Sequence, residues 1–307
     1  MSRDLWTVCT SEFFPRRLRL RSAKTRVQYK YAIDAFGGCL GRIPTLDDLD
    51  DDTVTVWLGS LLDSDLSTYT VREKLGRILT LWRWLAARRV VDAWPTIQRP
   101  EPPEIVPVAM TEGELSALFD ASMREDGMIG PVKAWHWWPA YLQFLWNSAE
   151  RRTAAMSIRY EWVNLERGFI AIPANVRKGK RKSAIYHLWP KTIELLQRIA
   201  EPRRELFFPW PLSEATYWYR FGRICRRAGI PDDRRHKTHG IRCTHATHRY
   251  LAGQDATKAL MHDDPGTTQR HYIDKSFATP DPPLFDPWAR SDAPPPTTFK
   301  PWRPDSG

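Results

Sequence analysis

The sequence predicts a mainly α-helical protein with one small β-sheet, an α+β fold, divided between two domains. Three features lead to this prediction. Apolar residues recur at helical spacing in the first third of the chain, and five prolines between Pro95 and Pro107 then interrupt the pattern. Short apolar runs separated by turn residues follow in the second half. A chain of 307 residues is long enough for two domains that each bury a core.

Helices dominate the first predicted domain, residues 1–94. The segment TVREKLGRILTLWRWLAARR carries apolar residues every three or four positions, and Thr70 with Glu73 matches a capping box at its start. An earlier segment, TRVQYKYAIDAF, has the same kind of apolar face. We expect that helix to end at Gly37-Gly38, because glycine is typical of helix ends.

A proline-rich linker is predicted over residues 95–109, since prolines at this density exclude a helix. Thr111 and Glu114 match a second capping box, which opens the helix ELSALFDAS at the start of the second domain, residues 110–276. Residues 277–307 are again rich in proline. We expect them to form a tail that wraps a partner or remains without fixed structure.

The second domain mixes helices with a small sheet. In WVNLERGFIAI, two apolar runs flank Glu166-Arg167-Gly168, which predicts a hairpin, and KSAIYHLW predicts a third strand. The basic run RKGKRK lies at the turn before that strand. Helices are predicted to resume at Pro190 and from Ser213, and most of the aromatic residues in AWHWWPAYLQFLW are expected to lie in the core.

Charge and cysteine content limit the function classes. The formal net charge of +10 favours polyanionic partners, because neutralised phosphates release counterions, although charge alone also fits a protein that binds nothing acidic. Arg72 and Arg77 lie opposite an apolar helical stripe, which indicates either a solvated basic face or a face that grips a nucleic-acid backbone. The four cysteines form no CxxC pair, and no signal peptide or membrane-spanning run is present. We therefore expect a cytoplasmic protein with no membrane association.

The stretch HGIRCTHATHRYLAGQDATKALMHDDPGTTQRHY, from His239 to Tyr272, concentrates the reactive side chains. His245 and His248 could share a helical face, so a metal site, and with it a metal-dependent nuclease, is one alternative. However, no carboxylate or cysteine completes a ligand set such as HExxH, and the chain has no GxSxG elbow for a serine hydrolase.

Attack of a tyrosine on a DNA phosphodiester is the second alternative. The transition state gathers negative charge on the nonbridging oxygens, and arginine's fixed fork of donors suits that charge. The leaving 5′-oxygen needs a proton, which a lysine on a mobile turn can supply. Such a site needs two arginines, a lysine, one or two histidines and a tyrosine. This chain carries them in the order arginine, lysine, histidine, arginine, histidine and tyrosine.

In this order and spacing the chain resembles the tyrosine recombinases, or phage-type integrases, over nearly its whole length. HGIRCTHATHRYLAGQD resembles the H-x-x-R box, LMHDDPGTTQRHY the stretch that ends in the nucleophile, and NSAERRTAAMSIRYEWVNLERGFIAI the segment with the first arginine. SAKTRVQYKYAIDAF and TVREKLGRILTLWRWL resemble the helical core-binding domain. The resemblance implies a core-binding domain followed by a tyrosine-recombinase catalytic domain.

The resemblance also assigns roles. Arg151, rather than Arg152, matches the first catalytic arginine, Lys178 the lysine on the β-turn, and Tyr272 the nucleophile that forms a 3′-phosphotyrosyl intermediate. His239 and Arg242 match the H-x-x-R pair, and His262 matches the histidine that contacts a nonbridging oxygen. Lys180 is the alternative to Lys178. The basic residues expected to contact DNA elsewhere are Arg72, Arg77, Arg177, Lys180 and Lys182.

The partners implied by this resemblance are double-stranded DNA recombination sites and further copies of the chain, in a tetramer at the synapse. It leaves room for a directionality factor, implies no metal, ATP or other cofactor, and suggests a nucleoid-associated protein. Several features depart from the family's pattern. Ala154 stands where a carboxylate is common, and Met261 where a glycine usually precedes the second histidine. The segment between Arg242 and His262 is also a few residues shorter than usual. The alternative is therefore a slow or inactive DNA-binding accessory protein on the same fold.

Overall fold

The computed structural model describes residues 3–17, 23–179, 181–233 and 237–277. The chain divides into two compact units, Met1–Ile105 and Val106–Gly307. Most of the predicted tail and Lys180 lie outside the described residues. Within the described part, no helix is both long and apolar enough to cross a membrane.

Unit 1 contains helices and no strand in its described residues. Its helices α1 to α5 span Leu5–Val8, Phe14–Arg17, Ala23–Leu40, Asp51–Leu62 and Thr68–Ala86, and a π-helical turn, Cys9–Phe13, joins the first two. Helix α5 buries one apolar stripe against α3 and α4, and the core centres on fully buried aromatic residues that include Phe36, Trp57 and Trp82. The helical spacing of apolar residues therefore predicted this core correctly.

Two predicted helix ends in unit 1 are wrong. Helix α5 begins one turn before the predicted box, because the Ser67 side chain accepts a hydrogen bond from the Thr70 backbone N–H and acts as the N-cap. Helix α3 runs through Gly37 to Leu40, and Gly41 follows it in the left-handed conformation (φ 66°). Position 37 requires glycine for a different reason: a Cβ there would lie only 2.9 Å from Cδ of Pro44.

Up to Ile105 the proline-rich segment has neither helix nor strand and belongs to unit 1. The Tyr69 hydroxyl donates to the carbonyl of Pro103 over 2.7 Å, and Nη1 of Arg72 donates to the carbonyl of Pro100 over 2.9 Å. These bonds tie the segment to helix α5.

Unit 2 combines eight helices with two small antiparallel sheets in its described residues. The helices α6 to α13 span Glu112–Ser122, Ala134–Ser148, Arg152–Ala155, Pro190–Gln197, Glu214–Arg227, Thr238–Leu251, Ala256–Leu260 and Pro265–Tyr272. The strands β1 to β5 span Met128–Ile129, Val132–Lys133, Val163–Asn164, Phe169–Ile172 and Ala184–His187. Strands β1 and β2 pair with each other, and the second sheet has the order β3-β4-β5.

Most local predictions for unit 2 are confirmed. The capping box of Thr111 and Glu114 opens α6, the β3–β4 hairpin turns through Gly168 (φ 65°), and α10 begins after Ser213 as its N-cap. Helix α7 carries Trp137 and Trp138, both fully buried, into the core between α6, α9 and α11. This packing fixes the C-terminal end of α7, where the candidate site begins.

Candidate active site

Five of the six predicted catalytic residues come together at one end of unit 2. Arg151 is the N-cap of the short helix α8, just past the end of α7. Arg242 lies in the middle of α11, His262 follows α12, and Tyr272 is the last residue of α13. Helices α11, α12 and α13 pack against one another, so residues distant in sequence meet here.

Arg242 is buried in this site, with a relative exposure of 2%. Its Nη1 donates to the carbonyl of Ala149, and its Nη2 donates to the carbonyl of Leu260 over 2.8 Å. These carbonyls lie at the C-terminal ends of α7 and α12, where backbone acceptors lack intrahelical partners. Burial, and then the nearby charge of Arg151, lowers the pKa of the Arg242 guanidinium.

Left-handed backbone shapes both of these helix ends. Ala149 has φ 50° and ψ 25°, and Met261, directly before His262, has φ 54° and ψ 40°. Residues other than glycine adopt this conformation only at a cost. The usual glycine before the second histidine is therefore replaced here by a methionine in the conformation that glycine favours.

His262 lies between the two arginines. Its Nε2 is 3.3 Å from Nη2 of Arg151 and 3.0 Å from Nη2 of Arg242, and its Nδ1 is 2.9 Å from Oγ1 of Thr268. Because guanidinium nitrogens only donate, Nε2 is the acceptor and Nδ1–H donates to Thr268. Burial, followed by the charges of Arg242 and Arg151, lowers the pKa of His262 to about 4, so the ring is neutral at pH 7.

The Tyr272 ring packs among these groups. Its centroid lies 4.7 Å from that of His262, 5.2 Å from that of His239 and 5.3 Å from Cζ of Arg242. The Thr247 hydroxyl on α11 donates to the Tyr272 carbonyl over 3.2 Å and accepts from the Asp274 N–H over 2.9 Å.

A second set of bonds holds the chain just after Tyr272. The buried Asp274 carboxylate accepts from the Ala109 N–H over 2.8 Å and from the Ser276 N–H over 3.0 Å. The segment that carries the tyrosine is therefore anchored on both sides within the same unit.

His239 lies at the edge of the site. Part of the side chain is exposed to solvent, while protein atoms surround the rest of the ring. The resulting partial desolvation lowers the pKa of His239 to about 4. The charges of Arg242, Arg151 and Lys178 act in the same direction. His239 is therefore a neutral imidazole at pH 7, next to the tyrosine ring.

Lys178 is exposed on the turn between β4 and β5, and Gly179 follows it with φ 86°. No hydrogen bond or ion pair joins it to the other five residues in the described part of the chain, yet its charge helps to lower the pKa of both His239 and His262. Lys182 is exposed and pairs with Asp263, the neighbour of His262. Lys180, the alternative lysine, lies outside the described residues.

The structure places Arg177, which was predicted to contact DNA, in the interior of unit 2. Its side chain is buried, and its Nε donates to Oε2 of Glu150 over 2.6 Å. A contact with DNA would require the guanidinium to leave a buried carboxylate, which is strongly unfavourable. A role for Glu150 was not predicted, although a carboxylate directly before the first arginine was the available signal.

Arg72 and Arg77, predicted to contact DNA, lie on α5 in unit 1 and are partly buried. Arg72 donates to the Pro100 carbonyl, while Arg77 pairs with Glu73 over 2.6 Å and its Cζ lies 5.7 Å from the centroid of the Tyr29 ring. In unit 2, Arg152 pairs with Glu214 instead of facing His262.

His245 and His248, the two histidines considered as metal ligands, each contact other groups of the protein. No group of three or more metal-ligating side chains is found among the described residues. The buried His245 donates from Nδ1 to the Trp146 carbonyl over 2.6 Å and accepts at Nε2 from Nε of Arg249 over 2.8 Å. His248 lies 3.3 Å from the Met110 carbonyl. Both histidines hold neighbouring elements together.

Solved structures with the same fold were found. At a TM-score of 0.67 and 14% identity, one match is a lambda integrase dimer bound to a COC′ core site, covering 92% of this chain and 81% of that one. A Tn1549 transposon integrase in complex with a circular intermediate DNA matches with a TM-score of 0.66 and 12% sequence identity. This match covers 88% of this chain and 95% of that one. A XerH site-specific recombinase bound to palindromic difH, in a post-cleavage complex, matches with a TM-score of 0.62 and 18% sequence identity. This match covers 84% of this chain and 78% of that one.

Lambda integrase is also found as a tetramer bound to a Holliday junction, with a TM-score of 0.63 and 17% identity over 89% of this chain and 78% of that one. No curated protein sequence matches the chain. The family model described as the phage integrase family matches residues 109–279, more than half of the chain and the whole of the site. The chain belongs to the phage integrase family, whose members include the tyrosine recombinases.

Proposed function

We propose that this chain is a site-specific DNA recombinase that cleaves and rejoins DNA through a covalent bond between Tyr272 and a 3′-phosphate. One observation carries the proposal: Arg151 and Arg242 converge on the neutral His262, and the Tyr272 ring packs against that histidine. Two converging guanidinium groups can bind the nonbridging oxygens of one phosphodiester, and a phenol beside them is the available nucleophile.

In the cleavage step, Oη of Tyr272 attacks the scissile phosphorus as the bond from phosphorus to the 5′-oxygen breaks. The phenolic proton passes to His239, which is neutral because its pKa is about 4 and whose ring adjoins the tyrosine. Lys178 gives a proton to the leaving 5′-oxygen. Rejoining reverses these transfers with a different 5′-hydroxyl, so no net hydrolysis occurs.

The arginines stabilise the transition state electrostatically. Removing one such preorganised donor typically costs about 10²- to 10³-fold in rate. His262 accepts from both arginines in the free protein. A bound phosphate would take over those donors and raise the His262 pKa, so that Nε2 could then donate to an oxygen. This chemistry needs neither a metal nor ATP, because arginines supply the positive charge and the phosphotyrosine preserves the bond energy.

We extend the proposal to the assembly. Double-stranded recombination sites would be the DNA partner, with residues 1–94 as a core-binding domain, residues 95–109 as linker and residues 110–276 as catalytic domain. Four copies would act in the synapse, as the lambda integrase tetramer on a Holliday junction suggests by analogy. Arg72, Arg77, Lys180 and Lys182 would contact the DNA backbone. The protein would work at the nucleoid in the cytoplasm, with or without a directionality factor.

Covalent trapping tests the proposal. The full chain is incubated in excess EDTA with nicked suicide duplexes made from the DNA that flanks its gene, and the products are separated on a denaturing gel. We expect a protein–DNA adduct with the wild-type chain and none with Tyr272→Phe. Tyr250→Phe, which changes an exposed tyrosine on α11, is the matched control and should still form the adduct.

Tight binding of these duplexes without any adduct would instead indicate a DNA-binding accessory protein. An adduct that disappears when EDTA is added would contradict the metal-independent chemistry.

A further inference from the structure

We propose that Glu150 and Arg177 are positioning residues that hold the Lys178 turn against the loop carrying Arg151. This inference rests on the proposed recombinase function and adds to it two residues outside the six matched to the family. The observation behind it is a buried network of hydrogen bonds that links two parts of the site.

Glu150 uses both carboxylate oxygens. Oε1 accepts from the backbone N–H of Arg151 over 2.7 Å, while Oε2 accepts from Nε of Arg177 over 2.6 Å and from the Tyr186 hydroxyl over 2.9 Å. Only 3% of Glu150 is exposed. The carboxylate therefore joins the N-cap of α8 to a segment 27 residues further along the chain.

Arg177 uses all three of its guanidinium nitrogens. Besides the bond from Nε to Glu150, its Nη1 donates to the Lys182 carbonyl over 3.0 Å and its Nη2 to the Tyr186 hydroxyl over 3.3 Å. Lys182 lies beyond the turn that begins at Lys178, so one side chain spans the base of that turn. Arg177 is also the residue directly before Lys178.

A buried ion pair adds little stability over an apolar pair of the same volume, because both charges lose their hydration. It does impose a fixed geometry, since a carboxylate and a guanidinium bond only in a few directions. In this site the pair fixes the two ends of a turn whose exposed lysine has to reach a leaving oxygen. Its function would be to place the lysine ammonium, so its loss should affect proton transfer more than DNA binding.

This arrangement also explains the departure at Ala154. The carboxylate common three residues after the first arginine is absent, and Ala154 is buried without a polar side chain. Glu150 supplies a carboxylate from the other side, directly before the arginine, and bonds to its backbone. One carboxylate, that of Glu150, therefore bonds both to the first arginine and to the residue before the lysine.

The leaving group allows a direct test. Suicide duplexes are prepared with either oxygen or sulfur at the 5′-bridging position of the cleavage site, which is first mapped with the ordinary duplex. A thiolate is a much better leaving group than an alkoxide and needs no proton, so the sulfur duplex makes the general acid unnecessary. Rates of adduct formation are measured for the wild-type chain, Arg177→Met, Arg177→Lys and Lys178→Ala, with Lys178→Ala calibrating the size of the rescue.

For Arg177→Met we expect a loss of roughly 10²-fold on the oxygen duplex, the size typical of a small misplacement of a reacting group. On the sulfur duplex its rate should return to within a few-fold of the wild-type rate. Arg177→Lys should behave like Arg177→Met, since a single ammonium cannot reach three acceptors. Arg198→Met, which breaks an exposed pair with Glu194 on α9, should leave both rates unchanged.

A second variant separates positioning from folding. Arg177→Met alone leaves the Glu150 charge buried without its cation, which can unfold the domain. Replacing both residues, as Glu150→Leu/Arg177→Met, removes that charge and should recover the thermal midpoint. We expect the double variant to fold, to remain slow on the oxygen duplex, and to be accelerated by sulfur more than the wild type.

The inference is overturned if the folded double variant keeps the wild-type rate on the oxygen duplex, or if it is equally slow on both duplexes. An absence of adduct from the wild-type chain on either duplex would contradict the proposed function itself, and the positioning proposal with it.

Discussion

Nε2 of His262 lies 3.0 Å from Nη2 of Arg242, and the same nitrogen faces the guanidinium of Arg151. This shared acceptor keeps two like charges close together before any substrate is bound. Burial of the ring, and then repulsion by Arg242 and Arg151, favours the neutral histidine by lowering its pKa. The site is thus preorganised for an anion, and several consequences can be measured.

The first prediction concerns the charge on His262. Arg151→Met should raise its pKa from about 4 towards the ordinary 6.5, because one repelling cation is removed while burial and Arg242 continue to hold the pKa down. NMR titration of histidine-labelled protein measures this shift. In the matched control, Arg249→Met, the pKa of His245 should rise instead and that of His262 should not change. Equal shifts of both histidines in both variants would contradict local repulsion.

The second prediction concerns left-handed backbone. Ala149→Gly should increase the free energy of unfolding by about 1 kcal/mol, because glycine adopts a positive φ without the penalty that alanine has. Met261→Gly relieves the same strain but removes a side chain packed on the core, so its gain should be smaller. Ala259→Gly, inside α12, should lower stability by about 1 kcal/mol. Urea unfolding measures all three, and a loss for Ala149→Gly would contradict the prediction.

The third prediction compares two buried threonines on α11. Thr247→Val leaves the Asp274 N–H unpaired and frees the Tyr272 carbonyl, whereas Thr244→Val removes the acceptor for the Met110 N–H. Each should cost about 1–3 kcal/mol of stability, the range for a buried donor left without a partner. Only Thr247→Val should also slow adduct formation, because its bonds hold the nucleophile. Equal rates in the two variants would argue against this anchoring.

The fourth prediction concerns acid stability. Burial, and next the charge of Arg249, lowers the pKa of His245 to about 4, whereas the unfolded value is about 6.5. Between these values the unfolded state binds a proton that the folded state does not. Stability should therefore be complete above pH 6.5 and fall as the pH drops towards 4, with a slope approaching about 1.4 kcal/mol per pH unit from this residue.

Guanidinium unfolding at pH 7, 6 and 5 measures this slope. His245→Gln can still donate to the Trp146 carbonyl and accept from Arg249 but does not titrate, so its stability should depend less on pH. An unchanged slope in that variant would assign the acid sensitivity to other groups.

Local patterns predicted much of the fold. Apolar spacing on α5, the Thr111 box and the β3–β4 hairpin depend on neighbours in sequence, and all three are confirmed. The predicted start of α5 was wrong because Ser67 and Thr70 are both good capping residues. The spacing of side chains could not decide between them.

The site was predictable only where residue order carries information. Arg151, Arg242, His262 and Tyr272 meet as the family's boxes imply, although their roles remain predictions. The Glu150–Arg177 bond was not predictable, because it joins residues far apart in sequence and because a basic run such as RKGKRK looks solvent-exposed throughout. Which of its charges turns inward depends on the fold of the strands around it.

Arg242 holds the ends of two helices as well as facing His262, and this has a consequence for the history of such genes. A copy that no longer recombines DNA still has to fold, so selection against misfolding would retain Arg242 after activity is lost. The exposed Lys178 has no comparable structural duty and would drift early. Among decayed descendants of this chain, an intact arginine would then mark a folded protein, whereas an intact lysine would mark one that still cuts DNA.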